Sequence, residues 1–171
     1  QMVASNVLGT VNLLEALRNE GTMRRMVNIG SFAEYDPDDT HIREDSLLKP
    51  SNAYCVSKAS QTFFAQYYAR LHKMPVVIVR PSLIYGPFEE PRRLVPASVL
   101  AHLRKEPLSL SSPKPRKDFL FIEDAVDALL AASEREIPPG EVINIGIGKE
   151  YSIKEVVTAV EPVRPKSLER P

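Results

Sequence analysis

Hydrophobic positions along the chain follow two spacings. Where apolar side chains recur at every third or fourth position, the spacing predicts helices over residues 3–18, 53–72, 94–103, 123–133 and 152–160. Where apolar residues form short continuous runs, the pattern predicts strands over residues 24–31, 75–79, 108–110, 119–122 and 142–146. The stretch 34–51 is rich in Asp, Pro, Ser and Thr and predicts a loop. The alternation of strands with helices indicates a parallel α/β sheet.

The bulk composition excludes several classes of protein. The chain has 171 residues, enough for one domain with a core, and 22 basic residues balance 22 acidic ones. This balance gives no sign of a nucleic-acid footprint, and no apolar run reaches the length of a membrane span. A single cysteine, Cys55, leaves no internal disulfide, and the histidines have no metal-ligand spacing. We expect a cytoplasmic enzyme or binding domain whose partners are neither nucleic acids nor membranes.

Tyr54 and Lys58 are four residues apart on a predicted helix, so their side chains share one face. A phenol with a pKa of about 10 is a poor base at neutral pH. An ammonium about 4 Å away would stabilise the phenolate by roughly 4 kcal/mol at an effective dielectric constant of about 20, or about 3 pKa units. The pair could then act as a general acid or base, although exposed helices also produce this spacing by chance.

The residues around this pair favour the catalytic interpretation. Ser31 ends the preceding strand, where its hydroxyl could hydrogen-bond the substrate oxygen that Tyr54 protonates. Matching segments follow in order along nearly the whole chain, namely Asn6–Ala16, Gly30–Tyr35, Ser51–Lys58, Arg80–Pro81, Tyr85–Pro87, Lys117–Leu120 and Asn144–Gly148. With these segments the chain resembles the extended short-chain dehydrogenase/reductase superfamily, and within it the NAD-dependent epimerase/dehydratase family.

The resemblance implies a fold and a set of roles. The fold would be the C-terminal part of a Rossmann-like parallel sheet over residues 1–90, with a small and mainly substrate-binding region over residues 91–171. Tyr54 would be the catalytic acid or base, Lys58 would bind the nicotinamide ribose, and Ser31 would orient the substrate. Pro81 and Ser82 would also contact NAD or NADP. Leu83, Arg116 and Lys117 would contact a nucleotide sugar. The family also implies a homodimer.

Departures from the family pattern shape the expected reaction. Dehydratases of this family place acidic residues one and two positions after the hydroxyl residue of the loop, where this chain has Phe32 and Ala33. On that ground a 4,6-dehydratase is disfavoured, while Glu34 resembles the arrangement in 4-keto-sugar reductases. Leu83 stands where many members carry asparagine. Lys117 stands where many carry arginine, and it would neutralise a phosphate only as a point charge.

A glycine-rich turn that holds the cofactor pyrophosphate opens the members of this family, and the chain contains no such turn. Because the sequence begins within a predicted helix, we expect the natural protein to be longer. A smaller gap is expected near Val160 and Glu161, where the last helix is cut short.

The leading hypothesis is an NAD(P)-dependent sugar-nucleotide 4-epimerase that works by hydride transfer at carbon 4. One alternative is an NADPH-dependent 4-keto-6-deoxy sugar-nucleotide reductase, which Glu34 favours. A second is a non-catalytic nucleotide-binding relative, although such a protein would have no need to keep Ser31, Tyr54 and Lys58 together. A third is a hydroxysteroid dehydrogenase of the same branch, which would act on apolar alcohols.

Overall fold

The computed structural model of the chain describes residues 1–39, 41–110, 112 and 114–160. Its α-helices are α1 Gly9–Leu17, α2 Ala53–Leu71, α3 Leu94–Arg104, α4 Ile122–Glu134 and α5 Ile153–Val160. Its strands are β1 Met26–Ile29, β2 Val76–Pro81, β3 Leu83–Tyr85, β4 Arg116–Phe121, β5 Val142–Ile145 and β6 Glu150–Ser152. A π-helical segment, Val3–Leu8, runs directly into α1, and Phe32–Glu34 forms a 3-10 turn.

The first sheet is parallel and has β2 at its centre, between β1 and β5. Val79 of β2 aligns with Ile29 of β1 on one side and with Ile143 of β5 on the other. Every residue of β2 is buried, as expected for a strand that is covered on both faces. α2 packs on β2 and contacts α1, and α4 contacts β1 and β2. The main core cluster consists of Leu14, Ala65, Tyr68, Ala69, Met74, Val76 and Ile78.

The second sheet is smaller and mixed, with β4 at its centre. β3 runs parallel to β4, with Leu83 aligned to Phe119, and β6 runs antiparallel to it, with Tyr151 aligned to Lys117. Because β3 follows β2 after a single residue, the chain passes directly from the first sheet into the second. It returns to the first sheet at β5, so the two sheets interleave along the sequence.

The predicted α/β fold and parallel sheet are confirmed, and the differences lie in short elements. The strand predicted over 108–110 is wrong, because those residues have no regular structure; a strand needs a paired neighbour, and this run finds none among the described residues. β3 and β6 were missed because three residues are too few to show a period. The expected gap at Val160 and Glu161 reaches beyond the described residues. The division of the chain at residue 90 stays a prediction.

In the described part of the chain, no helix combines the length and the apolar character needed to cross a membrane.

Candidate active site

Three strands of the first sheet end at the same edge, and polar groups gather there. Ser31 lies just after β1, Ser82 directly after β2, and Gly146 directly after β5. Because the strands are parallel, their carboxyl ends form one rim, which is where ligands bind in open α/β sheets. α2 follows β1 in the chain and begins at Ala53, so it presents Tyr54 in its first turn.

Ser31 is fixed by the 3-10 turn that it starts. Its backbone is extended, with φ −163° and ψ 145°, and its hydroxyl oxygen accepts a hydrogen bond from the Ala33 backbone N–H at 3.1 Å. The Ser31 N–H in turn donates to Oε1 of Glu34 at 2.8 Å. This reciprocal arrangement is a capping box, which satisfies two backbone donors at the start of a helical turn. The serine hydroxyl is therefore held at the rim by its own turn.

Glu34 is a buried structural carboxylate in this turn. Its side chain is completely buried, and Oε2 lies 2.8 Å from Nη2 of Arg80, whose own side chain is 3% exposed. Arg80 also donates from Nη1 to the Tyr35 hydroxyl at 2.7 Å, and that hydroxyl donates to Oδ1 of Asn144 at 2.8 Å. Burial raises the pKa of the Tyr35 phenol, against the opposing effect of Arg80. The carboxylate that resembled a reductase feature in the sequence thus lies in a closed network of side chains.

Tyr54 occupies the first turn of α2 and is 40% exposed. The helix is capped by Asn52, whose side-chain oxygen accepts a hydrogen bond from the Cys55 N–H at 3.1 Å. The Tyr54 carbonyl accepts a hydrogen bond from Ser57 Oγ at 2.8 Å, and Asn6 Nδ2 donates to the same Oγ at 3.0 Å. Asn6 belongs to the π-helical segment, so this segment braces the first turn of α2. The phenol is left accessible while its backbone is held.

Lys58 is half-buried and points to the end of β1. Its Nζ donates to the Ile29 carbonyl at 2.8 Å and to Oε1 of Gln61 at 3.1 Å. Gln61 Nε2 donates to Oδ1 of Asn28 at 2.9 Å. Burial lowers the pKa of the Lys58 ammonium, and the Glu34 carboxylate opposes this shift. An ammonium has three donors, so the two acceptors found in the described part of the chain leave one N–H for a further partner such as a ribose hydroxyl.

Sequence reasoning missed Gln61 and Asn28, which hold Lys58. The available signal was weak: Gln61 lies three residues after Lys58, on the neighbouring position of the same helix face, and Asn28 is a polar residue inside an apolar strand. Asn28 is 2% exposed, and its Nδ2 has no hydrogen-bond partner among the described residues. A buried amide with a free donor is costly, so its place next to the lysine network suggests a role in the site.

Pro81 and Ser82, the predicted cofactor contacts, lie at the rim. Pro81 is buried at the end of β2, and the Ser82 N–H donates to the Ile145 carbonyl at 2.8 Å. The Ser82 hydroxyl donates to Oδ1 of Asp118 at 3.0 Å. Asp118 therefore sets the direction of this hydroxyl, and no local pattern in the sequence predicts this contact.

Leu83 lines a cavity of about 300 Å³ next to the rim. The cavity lies between the second sheet and the start of α3, and its walls are Leu83, Tyr85, Glu89, Arg92, Arg93, Leu94, Val95 and Phe119. Arg93 donates from Nε to Oε1 of Glu89 at 3.2 Å, so one of the two guanidinium groups is partly neutralised. The structure thus sets both Arg92 and Arg93 in the wall of this cavity.

Arg116 and Lys117 are not among the residues that line this cavity. Arg116 Nη1 lies 3.1 Å from Oε2 of Glu155, and its Nη2 donates to the Glu150 carbonyl at 2.7 Å. Lys117 is exposed on β4, in register with Tyr151. The structure thus brings Ser31, Tyr54 and Lys58 to one rim, with Ser82 and Leu83 beside them, while Arg116 is engaged by α5 and β6.

Solved structures of similar fold include enzymes that act on nucleotide sugars. A dTDP-glucose 4,6-dehydratase of Bacillus anthracis, solved with NAD, is 29% identical with a TM-score of 0.86, over 92% of this chain and 51% of that protein. A UDP-glucuronic acid 4-epimerase of Bacillus cereus, solved with UDP-glucuronic acid and NAD, is 28% identical with a TM-score of 0.85, over 91% of this chain and 50% of that protein.

Curated relatives show the same likeness in sequence. The human dTDP-D-glucose 4,6-dehydratase is 32% identical over 169 residues, which cover 95% of this chain and 47% of the human protein. A probable dTDP-glucose 4,6-dehydratase of Sinorhizobium fredii is also 32% identical, over 92% of this chain and 48% of that protein. The chain therefore spans about half the length of these curated relatives.

These relatives overturn the prediction that disfavours a 4,6-dehydratase. That prediction rested on Phe32 and Ala33, two positions of one loop, whereas the likeness to named dehydratases extends along 95% of the chain. It was wrong because the reaction of a site depends on every side chain gathered around it in space, and two loop positions do not define that set.

The family profile agrees with the geometry of the rim. The profile described as the NAD dependent epimerase/dehydratase family matches residues 1–146, which include Ser31, Tyr54, Lys58, Ser82 and Asn144. The parallel sheet agrees with the fold of the similar solved structures. The chain thus belongs to the NAD dependent epimerase/dehydratase family, within the extended short-chain dehydrogenase/reductase superfamily.

Proposed function

We propose that the complete protein oxidises and reduces carbon 4 of a nucleotide-linked sugar, with NAD or NADP as the hydride carrier. The observation that carries the proposal is the Lys58 ammonium, held by the Ile29 carbonyl and Gln61 with one N–H to spare, four residues after an accessible Tyr54. A ribose hydroxyl fits that remaining donor. Similar proteins solved with NAD and with UDP-sugars support the same chemistry.

Each of the three residues has a distinct task in the proposed reaction. The nicotinamide ring of the bound cofactor supplies a hydride acceptor and donor. Tyr54 takes the proton of the C4 hydroxyl while the hydrogen on C4 leaves with its bonding electron pair as hydride. A C4 ketone forms. Ser31 donates a hydrogen bond to the same oxygen, and Lys58 holds the ribose and stabilises negative charge on the phenol. In the reverse direction Tyr54 returns the proton.

Two products can follow from the C4 ketone. One is the 4-epimer, because return of the hydride to the other face of the ring uses the same three residues and no further group. The other is the 4,6-dehydration product, which relatives named as dehydratases favour, among them the human protein at 32% identity. Both begin with the same oxidation, so the proposed roles of Ser31, Tyr54 and Lys58 hold for either.

The cavity beside Leu83 is the proposed place of the nucleotide. Its apolar walls, Leu83, Tyr85 and Phe119, suit a base or a sugar ring, and Arg92 and Arg93 supply positive charge for a diphosphate. Lys117 remains a proposed phosphate contact because it is exposed and has no hydrogen-bond partner among the described residues. Arg116 would have to leave Glu155 to take that role.

A homodimer is the proposed assembly, with α2 in its interface. Val56, Phe63 and Leu71 repeat along one face of α2 and are 49%, 57% and 60% exposed. Such a stripe on the outside of a helix is typical of an interface, and a symmetric partner would cover it with its own copy of α2. Sedimentation of the complete protein should give a dimer that Phe63→Glu dissociates; a monomeric wild type would refute this assembly.

The test is turnover by the complete protein. UDP- and dTDP-linked hexoses are incubated with it and NAD, and the products are separated by chromatography and weighed by mass spectrometry. An epimer of unchanged mass indicates the epimerase, and a product lighter by one water indicates the dehydratase.

Tyr54→Phe should lower kcat by about 100-fold or more. Tyr67→Phe, on the exposed part of the same helix, is the matched control and should keep full activity. Equal activity of Tyr54→Phe and wild type would overturn the proposal.

A further inference from the structure

Glu34 is a buried charge that the proposed reaction does not use. Its carboxylate has no exposed surface, and both of its oxygens are occupied. Oε1 accepts from the Ser31 N–H at 2.8 Å, and Oε2 accepts from Nε of Arg80 at 2.9 Å and lies 2.8 Å from its Nη2. One carboxylate therefore ties the second residue after β1 to the penultimate residue of β2.

A buried ion pair of this kind is a poor source of stability. Removing two charges from water costs several kcal/mol for each ion, and their attraction often only offsets that cost. What the pair can supply is a fixed geometry. Only a carboxylate presents acceptors on both oxygens, since an amide in its place would turn a donor towards either Ser31 or Arg80.

The pair is itself held from the side of β5. Arg80 donates from Nη1 to the Tyr35 hydroxyl, and its guanidinium carbon lies 4.5 Å from the centre of the Tyr35 ring. Tyr35 donates on to Asn144, whose N–H donates to Glu44 at 3.0 Å. The network thus joins the carboxyl ends of all three strands of the first sheet, β1, β2 and β5.

Gly30 has no side chain, and this leaves room for the ion pair of Glu34 and Arg80. A Cβ at this position would lie 2.5 Å from Oε1 of Glu34 and 3.0 Å from Cγ of Arg80. Neither atom can move aside easily, because both belong to side chains that are fully packed. The backbone between β1 and Ser31 therefore depends on the position of the pair.

We propose that Glu34 and Arg80 are positioning residues that fix the Ser31 hydroxyl against the reacting oxygen of the substrate. The inference rests on the proposed function, because it assigns Ser31 the hydrogen bond to that oxygen. Without Glu34, the Ser31 N–H loses its acceptor and the turn is free to rotate. A displacement of about 1 Å at a reacting centre costs on the order of 100-fold in rate.

The first experiment compares Ser31→Ala, Glu34→Gln and their double variant in the complete protein. Glu34→Gln should lower kcat by about 10- to 100-fold with KM changed less than about two-fold, since ground-state contacts to the nucleotide remain. The double variant should be about as slow as Ser31→Ala alone, because Glu34 acts through the serine. Additive losses would overturn the proposal. Glu123→Gln, an exposed carboxylate on α4, is the matched control and should leave kcat unchanged.

The second experiment separates positioning from folding. Glu34→Met with Arg80→Met removes both charges and leaves a packed apolar pair, which buried ion pairs often tolerate. This variant should melt within a few degrees of wild type and still lose kcat to the level of Ser31→Ala. If it keeps wild-type kcat, the pair does not position the serine.

A third measurement does not depend on turnover. Hydrogen exchange of the Ser31 N–H should be slow in the wild type and about 10-fold or more faster in the variant with Glu34→Met and Arg80→Met, because methionine offers no acceptor to this N–H. Unchanged exchange would refute the positioning role even if the substrate were unknown. Lack of turnover by the wild type would refute the proposed function, and the exchange result would still decide the role of Glu34.

Discussion

Asp118 accepts a hydrogen bond from the Gly148 N–H at 2.8 Å and so links the two sheets of the fold. Asp118 lies on β4 of the second sheet, and Gly148 follows β5 of the first. The other oxygen of the carboxylate accepts from the Ile147 N–H at 3.1 Å and from Ser82 at 3.0 Å. One side chain thus sets the distance between the rim of the first sheet and the sheet that carries the cavity.

Replacing Asp118 with alanine should weaken the link between the two sheets. Three donors lose their acceptor. A hydrogen bond to a charged group contributes about 1.5–3 kcal/mol, but two of these three are exposed to solvent and contribute less, so we expect a loss of about 2–4 kcal/mol in the free energy of unfolding. Urea denaturation of the complete protein measures it. Asp127→Ala, an exposed position on α4, is the control and should change stability by less than about 0.5 kcal/mol. Equal stabilities of the two variants would contradict the bridging role.

Gly146 should not tolerate a side chain, because the Asp118 carboxylate occupies the space beside it. A Cβ there would lie 2.7 Å from Oδ2 and 3.0 Å from Cγ of Asp118. Gly146→Ala should therefore destabilise the protein by about 1–3 kcal/mol through overpacking. Gly21→Ala is the matched control, because nothing lies within 4 Å of its Cβ position, and it should be neutral or slightly stabilising. Thermal melting of both variants distinguishes the outcomes; similar melting temperatures would refute the steric argument.

Gln61→Leu should weaken the hold on Lys58. The leucine removes the acceptor at 3.1 Å from Nζ and the donor to Asn28, while the Ile29 carbonyl remains. If Lys58 binds the cofactor ribose, the Kd for NADH should rise by about 5- to 10-fold, the value of one net hydrogen bond of about 1 kcal/mol. Fluorescence titration of the complete protein measures this constant. Gln66→Leu, on the same helix but bonded to the Gly140 carbonyl, should leave it unchanged. An unchanged Kd in Gln61→Leu would exclude this role.

Lys58 should make stability depend on alkaline pH. Burial lowers the pKa of its ammonium in the folded protein, so the unfolded chain binds the proton more tightly. Between the folded pKa and the unfolded value near 10.5, the unfolded state therefore carries more protons, and stability rises with pH through that window. Lys58→Met removes this term. The free energy of unfolding of wild type relative to Lys58→Met should increase as the pH rises towards the unfolded value near 10.5. A difference independent of pH would contradict the burial effect.

The sequence predicted the elements that have a strong local pattern. α2 and β2 were found within two residues of their ends, because helix spacing and a β-branched run are each local signals. Ser31, Tyr54 and Lys58 were proposed from their spacing and from the resemblance of the segments around them, and their catalytic roles stay a prediction. The structure places Ser31 just after β1 and the Lys58 ammonium on the Ile29 carbonyl of the same strand. The partners of these residues were not predictable. Asp118 meets Gly148 across 30 positions and Arg80 meets Glu34 across 46, and such pairings are set only once the strands align.

Lys58 binds the carbonyl oxygen of Ile29, an atom that every residue possesses. The Ile29 side chain is itself 44% exposed, so it contributes little to the core. A scan of substitutions at this position should therefore record high tolerance, because valine, threonine or leucine there leaves the carbonyl in place. The site would depend on a residue whose identity is free to change. Tolerance to substitution at position 29 would then measure only the side chain and would hide the contact that orients the lysine.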